Sequence, residues 1–254
     1  MMGLLRAEWL KTKRGMLRWL VFLVPLLTGA VLAWYIGGRP WIAPGSTFSG
    51  FFSVWAGLVI PLALAIVAGQ LVHVEEEAAS FGGFLLCARA RLTLYLAKFV
   101  VLIGASAVAT ALAVGTFCLG LWLTGYQRTG FALYAEAAVV CWAAALPLAA
   151  LSLWIAFAGG MGVSVGVGMG GMLVGALVGG TMVGDKIWPF LPWAWPLRLS
   201  GAVAIAQSDV DPAQLEVFMN QVQRACALAL IGGTLVMIGS CWWFSRWDGR
   251  SASE

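Results

Sequence analysis

Charge is what this chain has least of. Asp, Glu, Lys and Arg together make up 10% of its 254 residues, and histidine occurs once, at His73. A soluble domain carries about 25% charged residues, and a chain of this size has too much surface for its volume to hide the apolar excess by packing. A soluble enzyme and a disordered chain are both excluded. The five cysteines (Cys87, Cys118, Cys141, Cys226 and Cys241) form no Cys-x-x-Cys pair and mostly lie in apolar runs, so they read as neither a disulfide framework nor a thiolate metal centre. With a single histidine and no H-E-x-x-H, His73 beside Glu75, Glu76 and Glu77 reads as a solvated acidic loop, not a metal site. No G-x-x-x-x-G-K-[ST] occurs, so the chain supplies no nucleotide-phosphate loop of its own.

Apolar residues fill the space that charge leaves. They amount to 61% of the chain, and the mean hydropathy is +0.92. This is the composition of an integral membrane protein, in which a span needs about 20 consecutive apolar residues. Six runs are long enough: Met16–Ile36, Phe51–Val74, Leu94–Thr124, Phe131–Ala158, Met161–Val183 and Ala225–Phe244. The first is too long for a cleaved signal core of ~7–15 residues and reads as an uncleaved span. The expected fold is all-α, a single six-span domain over residues 1–254. With the N-terminus inside, Arg6, Lys11, Lys13, Arg14, Arg18, Arg89, Arg91, Lys98, Arg246 and Arg250 fall on the inner side. Arg39, Arg128, Lys186, Arg198 and Arg224 fall on the outer side. That excess satisfies the positive-inside rule and puts both termini in the cytoplasm. The net charge of +4 reflects this placement and is no sign of a nucleic-acid partner.

Three segments outside the runs carry information. Residues 2–15 read as an amphipathic helix, with Met2, Leu5 and Trp9 on one face and Lys11, Arg14 and Arg18 on another; such a helix lies on an anionic inner membrane surface. The same charges also suit a plain positive flank for the first span. The inner stretch 74–93 opens acidic at Glu75, Glu76 and Glu77 and closes basic at Arg89 and Arg91, with room for a short helix between. The outer loop 184–221 contains Pro189, Pro192 and Pro196, which stop a continuous helix, and Trp188, Trp193 and Trp195, which suit a membrane–water interface. Asp211-Pro212-Ala213-Gln214 then offers a helix start with Pro at the first helical position. Glu136, at the outer end of the fourth run, is placed either to enter the membrane or to rest at its interface.

Two motifs with catalytic outlines are better explained by packing. Gly166–Gly171 matches G-x-G-x-x-G, a fingerprint that needs a preceding strand and an acidic residue ~20 positions on, but it sits inside an apolar run, with no strand before it and no solvent for a dinucleotide. Gly162-Val-Ser164-Val-Gly166 matches G-x-S-x-G. An intramembrane serine protease would need His73 as its base, in the wrong chain order and without an orienting third group. Gly162, Gly166 and Gly170, and again Gly171, Gly175 and Gly179, recur every four residues, a spacing at which small side chains let helices approach closely in lipid. No catalytic and no metal-binding residue is expected.

Leu4–Arg14 followed by Arg18-Trp19, Pro61-Leu-Ala-Leu-Ala leading to Glu75-Glu76, and Leu94-Tyr-Leu-Ala-Lys98 together resemble the permease of a lantibiotic-immunity ABC transporter. Gly184-Asp-Lys-Ile-Trp-Pro-Phe-Leu-Pro-Trp-Ala-Trp-Pro-Leu-Arg198 is similar to the outer-loop signature of its E-type subunit. The resemblance covers nearly the whole chain and is looser around Phe81 and Cys87. It implies an ABC-2 permease with an inner-surface helix, a coupling helix between spans two and three, and re-entrant elements before span six. It further implies two copies of a separate ABC ATPase that binds ATP and Mg, with no cofactor on this chain. A second permease of G type is implied, or a homodimer, in a bacterial plasma membrane from which lantibiotic peptide is expelled. A bacitracin-like antibiotic or a lipid is the alternative cargo. Glu75, Glu76, Glu77, Arg89 and Arg91 are then expected to couple to the ATPase. Asp185, Trp188, Trp193, Trp195 and Arg198 are expected to handle peptide, or, in the case of the tryptophans, simply to anchor the outer loop.

Overall fold

The computed structural model describes Glu8 and residues 17–39, 41–77, 91–126, 130–207 and 212–247. The expected surface helix over 2–15 (Glu8 apart), most of the 74–93 stretch including Arg89, and the Asp211 cap lie outside the described residues. Within them the chain is helical, and no strand occurs. The helices are α1 (Leu17–Gly37), α2 (Pro44–Glu77), α3 (Arg91–Leu123), α4 (Phe131–Gly180), α5 (Trp195–Ala206) and α6 (Pro212–Ser245). All but α5 are long and apolar enough to cross a membrane.

Two of these depart from the expected runs. α2 begins at Pro44, seven residues before the apolar run at Phe51, because proline at a helix's first position gives up no hydrogen bond. A π turn over Trp55–Val59 then interrupts it, the Ile60 N–H reaching back to the Trp55 carbonyl. The reason is Pro61: it has no N–H to give, so the ladder shifts register just ahead of it.

The fourth and fifth runs form the two helical arms of α4, which meet at Gly160, whose φ of 83° and ψ of −178° are non-helical and reachable only without a side chain. Neighbours reveal the direction of its two arms. Tyr134, near the start of the first arm, packs on Phe48 and Phe52 of α2. Gly179, near the end of the second, faces Leu197 and borders the same two phenylalanines. Phe157 and Met161, flanking Gly160, lie at the opposite end against Tyr95 and Gln70. The arms 131–159 and 161–180 are therefore antiparallel, and the reversal takes a single residue.

Aromatic side chains lock both ends of the bundle. At one end Phe51 stacks on Phe117 at 4.4 Å, with Phe48, Phe52 and Tyr134 around them. At the other, Phe157 and Phe244 meet Tyr95 and each other, at 4.8 Å, and Trp247 packs on both phenylalanines. Between the ends, glycine sets the helix spacing. A Cβ on Gly29 would lie 2.6 Å from the Ala113 carbonyl oxygen, and one on Gly175 2.7 Å from that of Trp193. Gly168 meets Ala65, Gly171 meets the Trp193 ring, and Gly179 meets Leu197. A Cβ on Gly162, Gly166 or Gly170 would meet nothing within 4 Å. Of the two four-residue repeats, the stripe that packs within this chain is thus Gly171, Gly175 and Gly179 joined by Gly168, and the other repeat faces outward. Gly168→Leu and Gly175→Leu should each destabilise the detergent-solubilised protein by at least ~1–3 kcal/mol, the usual cost of overpacking. Gly166→Leu should stay within about 0.5 kcal/mol of the parent, like most outward-facing changes. Thermal unfolding of the three variants measures the difference.

Candidate functional site

The charged residues that lie deep in the structure meet at the end of the bundle where α2 finishes and α3 starts. Lys98 sits two turns into α3 and is 1% exposed. Its ammonium donates to Glu8 Oε2 at 2.7 Å, Glu75 Oε1 at 2.9 Å and the Leu71 carbonyl at 3.0 Å. An ammonium has three N–H donors, and these contacts use all three. Leu71 and Glu75 lie one turn apart on α2 and so offer their oxygens along one face. Glu8 and Glu75 are 3% and 4% exposed. Glu8 arrives from the N-terminal segment, so a single ammonium joins three stretches of chain far apart in sequence.

The neighbouring acids behave differently. Glu76 and Glu77 point away from Lys98 and flank His73, whose Nδ1 is 3.6 Å from Glu76 and Nε2 3.4 Å from Glu77. Glu76 is half-buried and Glu77 exposed, where Glu75 is buried. Helical geometry divides the Glu75-Glu76-Glu77 run, because successive residues turn about 100°: Glu75 is taken up inside the bundle, and Glu76 and Glu77 lie against His73 instead. Arg91 opens α3, and its side chain lies outside the described residues, as does all of Arg89.

At the opposite end, three short 3-10 turns over Met182–Gly184, Trp188–Phe190 and Pro192–Ala194 lead into α5. Arg198 Nη2 donates to the Thr181 carbonyl at 2.8 Å, the Val178 carbonyl at 3.3 Å and Asp185 Oδ1 at 2.8 Å. The last carbonyls of a helix have no partner within it, and a cation there is favoured by the helix dipole. Arg198 therefore caps α4 and ties it to α5. Trp188 is fully buried and donates to Gln221 of α6 at 3.1 Å; Trp195 is buried and donates to the Pro189 carbonyl at 2.9 Å. Trp193 is half-buried over Gly171 and Gly175. The expectation of three tryptophans displayed at an interface is corrected for Trp188 and Trp195, whose rings fill the joint between α4, α5 and α6. The apolar side chains this segment does display are Met182, Val183, Ile187 and Phe190.

Ser164 is buried and donates to the Ala65 carbonyl at 2.9 Å, while the His73 ring is engaged by Glu76 and Glu77 farther along α2. The hydroxyl holds two helices together and has no contact with the histidine that a protease would need. Glu136 accepts a hydrogen bond from Gln207 at 3.0 Å and is exposed. Among the described residues no group of His, Cys, Asp and Glu is placed to hold a metal ion.

Sequence reasoning did not pair Glu8 with Lys98, although a signal was present. Lys98 interrupts the apolar stretch Leu94–Leu102, and a cation inside an apolar run requires a partner nearby.

A bundle of apolar helices with its ionic groups confined to two ends defines a polytopic membrane protein. The chain belongs to the ABC-2 transporter family: the family model described as an ABC-2 family transporter protein matches residues 4–179. It is thus the membrane permease component of an ABC transporter, and the family implies a partner ATPase. No curated protein matches the chain. The family match contains Glu8, Glu75 and Lys98 and stops short of Asp185 and Arg198.

Replacing Lys98 by Met should cost ~3–5 kcal/mol, because two buried carboxylates lose the ammonium that offsets them. The triple variant Glu8→Gln, Glu75→Gln, Lys98→Met should recover much of that loss, since neutral amides no longer need it. Thermal unfolding in one detergent compares them directly.

Proposed function

We propose that this chain is the E-type permease of a lantibiotic-immunity ABC transporter, moving antimicrobial peptide from a bacterial plasma membrane to the medium. The reading rests on the resemblance in Leu4–Arg14, Leu94–Lys98 and Gly184–Arg198, added to membership of the ABC-2 family. The proposed arrangement has six crossings, with the two arms of α4 counted separately. The antiparallel arms support this count, since 50 residues would rise ~75 Å as one straight helix, against ~30 Å of hydrocarbon. Both termini and the Lys98 end lie in the cytoplasm, as the excess of basic residues there favours. Residues 2–15 lie along the inner surface, and the turns and α5 form the re-entrant element before the last span.

The observation that carries the coupling role is the Lys98 cluster. It lies at the root of the 78–90 stretch, the segment proposed as the ATPase docking loop, and binds both of its flanking helices to the N-terminal segment. A push on that loop reaches α2, α3 and the surface helix together. Two copies of the ATPase hold ATP and Mg, this chain binds no cofactor, and a G-type permease or a second copy completes the pore. Glu76, Glu77, Arg89 and Arg91 make the docking contact, and Glu75 acts from inside. At the outer face the buried Trp188, Trp195 and the Arg198–Asp185 pair hold the segment rigid, and Met182, Val183 and Phe190 meet the peptide. A rigid surface binds with less ordering cost than a mobile one.

Co-purification with the ATPase, alongside survival of cells challenged with peptide, tests this. Glu76→Ala with Glu77→Ala should lower ATPase recovery about fivefold, the scale of one or two exposed ion pairs, at unchanged protein level. Glu75→Ala should instead reduce the amount of folded protein. Equal ATPase recovery from parent and the Glu76/Glu77 variant would remove these residues from the contact. Protection against a bacitracin-like antibiotic but not a lantibiotic would reassign the cargo.

A further inference from the structure

The long helices pack as two units with a looser seam between them. The backbone of α1 runs close to that of α3, and that of α2 close to that of α4, while α2 scarcely approaches α1 or α3. Glycine locks each unit. In the first, Gly29 faces the Ala113 carbonyl and Gly120 faces Ala33; in the second, Gly69 faces Met161 and Gly168 faces Ala65. Backbones that approach so closely have no room to slide past one another. The seam is different. A cavity of about 40 Å³ lies on it, lined by Val21 and Val24 of α1, Trp55 and Val59 of α2, and Ala105 and Ala109 of α3. Along this stretch the polar ties of α2 run to α4, from Ser164 to the Ala65 carbonyl and from Gln70 to Met161. Among the described residues none runs from there to α1 or α3. One indole crosses beside the cavity: Trp142 of α4 donates to the Ile103 carbonyl of α3 at 3.1 Å.

The seam is fastened at its two ends, and the fastenings are unequal. At one end the Lys98 ammonium of α3 holds Glu75 and the Leu71 carbonyl of α2. At the other, Phe51 stacks on Phe117, a contact of ring faces that can slide. Beside it the Tyr126 hydroxyl donates to the Ile42 carbonyl at 2.6 Å and lies 2.9 Å from the Thr47 hydroxyl. The Tyr126 N–H is bonded to the Leu121 carbonyl, so this residue travels with α3, whereas Thr47 belongs to α2 and Ile42 to the turn that leads into it. We propose that α1 and α3 swing as one unit against α2 and α4, with Lys98 as the hinge, Tyr126 as the latch and the cavity as the room the motion uses. Breaking a buried ionic contact costs far more than breaking one neutral hydrogen bond, so the seam opens at the Tyr126 end. Packed helices shift in this way by small sliding of whole units, and neither unit has to change internally. The proposal adds to the transport reading which helices move, and it depends on neither the cargo nor the ATPase.

The test is fluorine NMR of the full chain in nanodiscs, with 5-fluorotryptophan in place of tryptophan. Trp55→Phe and Trp142→Phe identify the two cavity signals, and Trp188→Phe identifies that of the joint between α4, α5 and α6. In the parent, Trp55 and Trp142 should each show a minor second signal of equal share, roughly 1–10%, and Trp188 a single one. Tyr126→Phe removes the latch and should raise that share about fivefold, the scale of one hydrogen bond. Ala105→Leu fills the cavity and should abolish both minor signals; Ala105→Val makes the same test with less bulk if the leucine variant fails to fold. Single signals at both cavity tryptophans, in the parent and in Tyr126→Phe, would overturn the proposal. A second signal at Trp55 alone would mean a local ring flip and overturn it equally. So would minor signals that Tyr126→Phe or the Ala105 variants leave unchanged, or that Trp188 shares. No cargo and no ATPase enter the measurement, so its failure leaves the transport reading standing.

Discussion

A buried ammonium must find acceptors or forfeit its charge, and Lys98 finds three. Its position inside an apolar helix would be untenable in lipid without them. Satisfying it requires Glu75 to turn inward from the end of α2 and Glu8 to come in from a segment ninety residues away. Such a pair gives little net stability over a well-packed apolar substitute. What it gives is position: three stretches of chain are held at one point, and none can move far without breaking a costly contact. The coupling role proposed for this end of the bundle starts from that point, next to the 78–90 stretch between α2 and α3.

The opposite end solves a different problem. Helix α4 stops there with exposed carbonyls, and the chain must turn several times before α6. Arg198 meets those carbonyls, Asp185 meets Arg198, and two tryptophans fill the joint with their N–H groups paired. Close helix approach at Gly168, Gly171, Gly175 and Gly179 lets the turns sit down on α4 in the first place. Where α4 reverses, Gly160 alone makes the bend possible. Glycine thus does two separate jobs in one helix: it removes side chains where neighbours approach, and it permits a backbone angle where the direction changes.

Much of the architecture was legible in the apolar runs, since hydrophobic length is a direct physical requirement of a span. The irregular segment around Pro189, Pro192 and Pro196 was legible too, because proline cannot continue a helix. What escaped was anything set by long-range contact. The run of three glutamates reads as one acidic patch until the helix divides it between inside and outside. Trp188 and Trp195 read as interfacial anchors because tryptophan's usual place at a membrane edge is a statement about single residues, and their burial depends on Gln221 and the Pro189 carbonyl arriving from elsewhere. The glycine repeats gave the spacing of a packing stripe but not which stripe faces a neighbour. Lys98 was the strongest overlooked signal, an isolated cation whose partner had to exist and whose identity only the fold supplies.

The central claim is that Glu8 and Glu75 share one ammonium, and a double-mutant cycle on their unfolding free energies tests it most directly. In Glu8→Gln or Glu75→Gln alone, Lys98 keeps one carboxylate; in the double variant it keeps neither. The double variant should therefore be less stable than the sum of the single losses by about 1–3 kcal/mol, the range for residues in one buried network. Losses that simply add would mean that the two carboxylates act independently, and that the N-terminal segment is not held to α2 and α3 through Lys98.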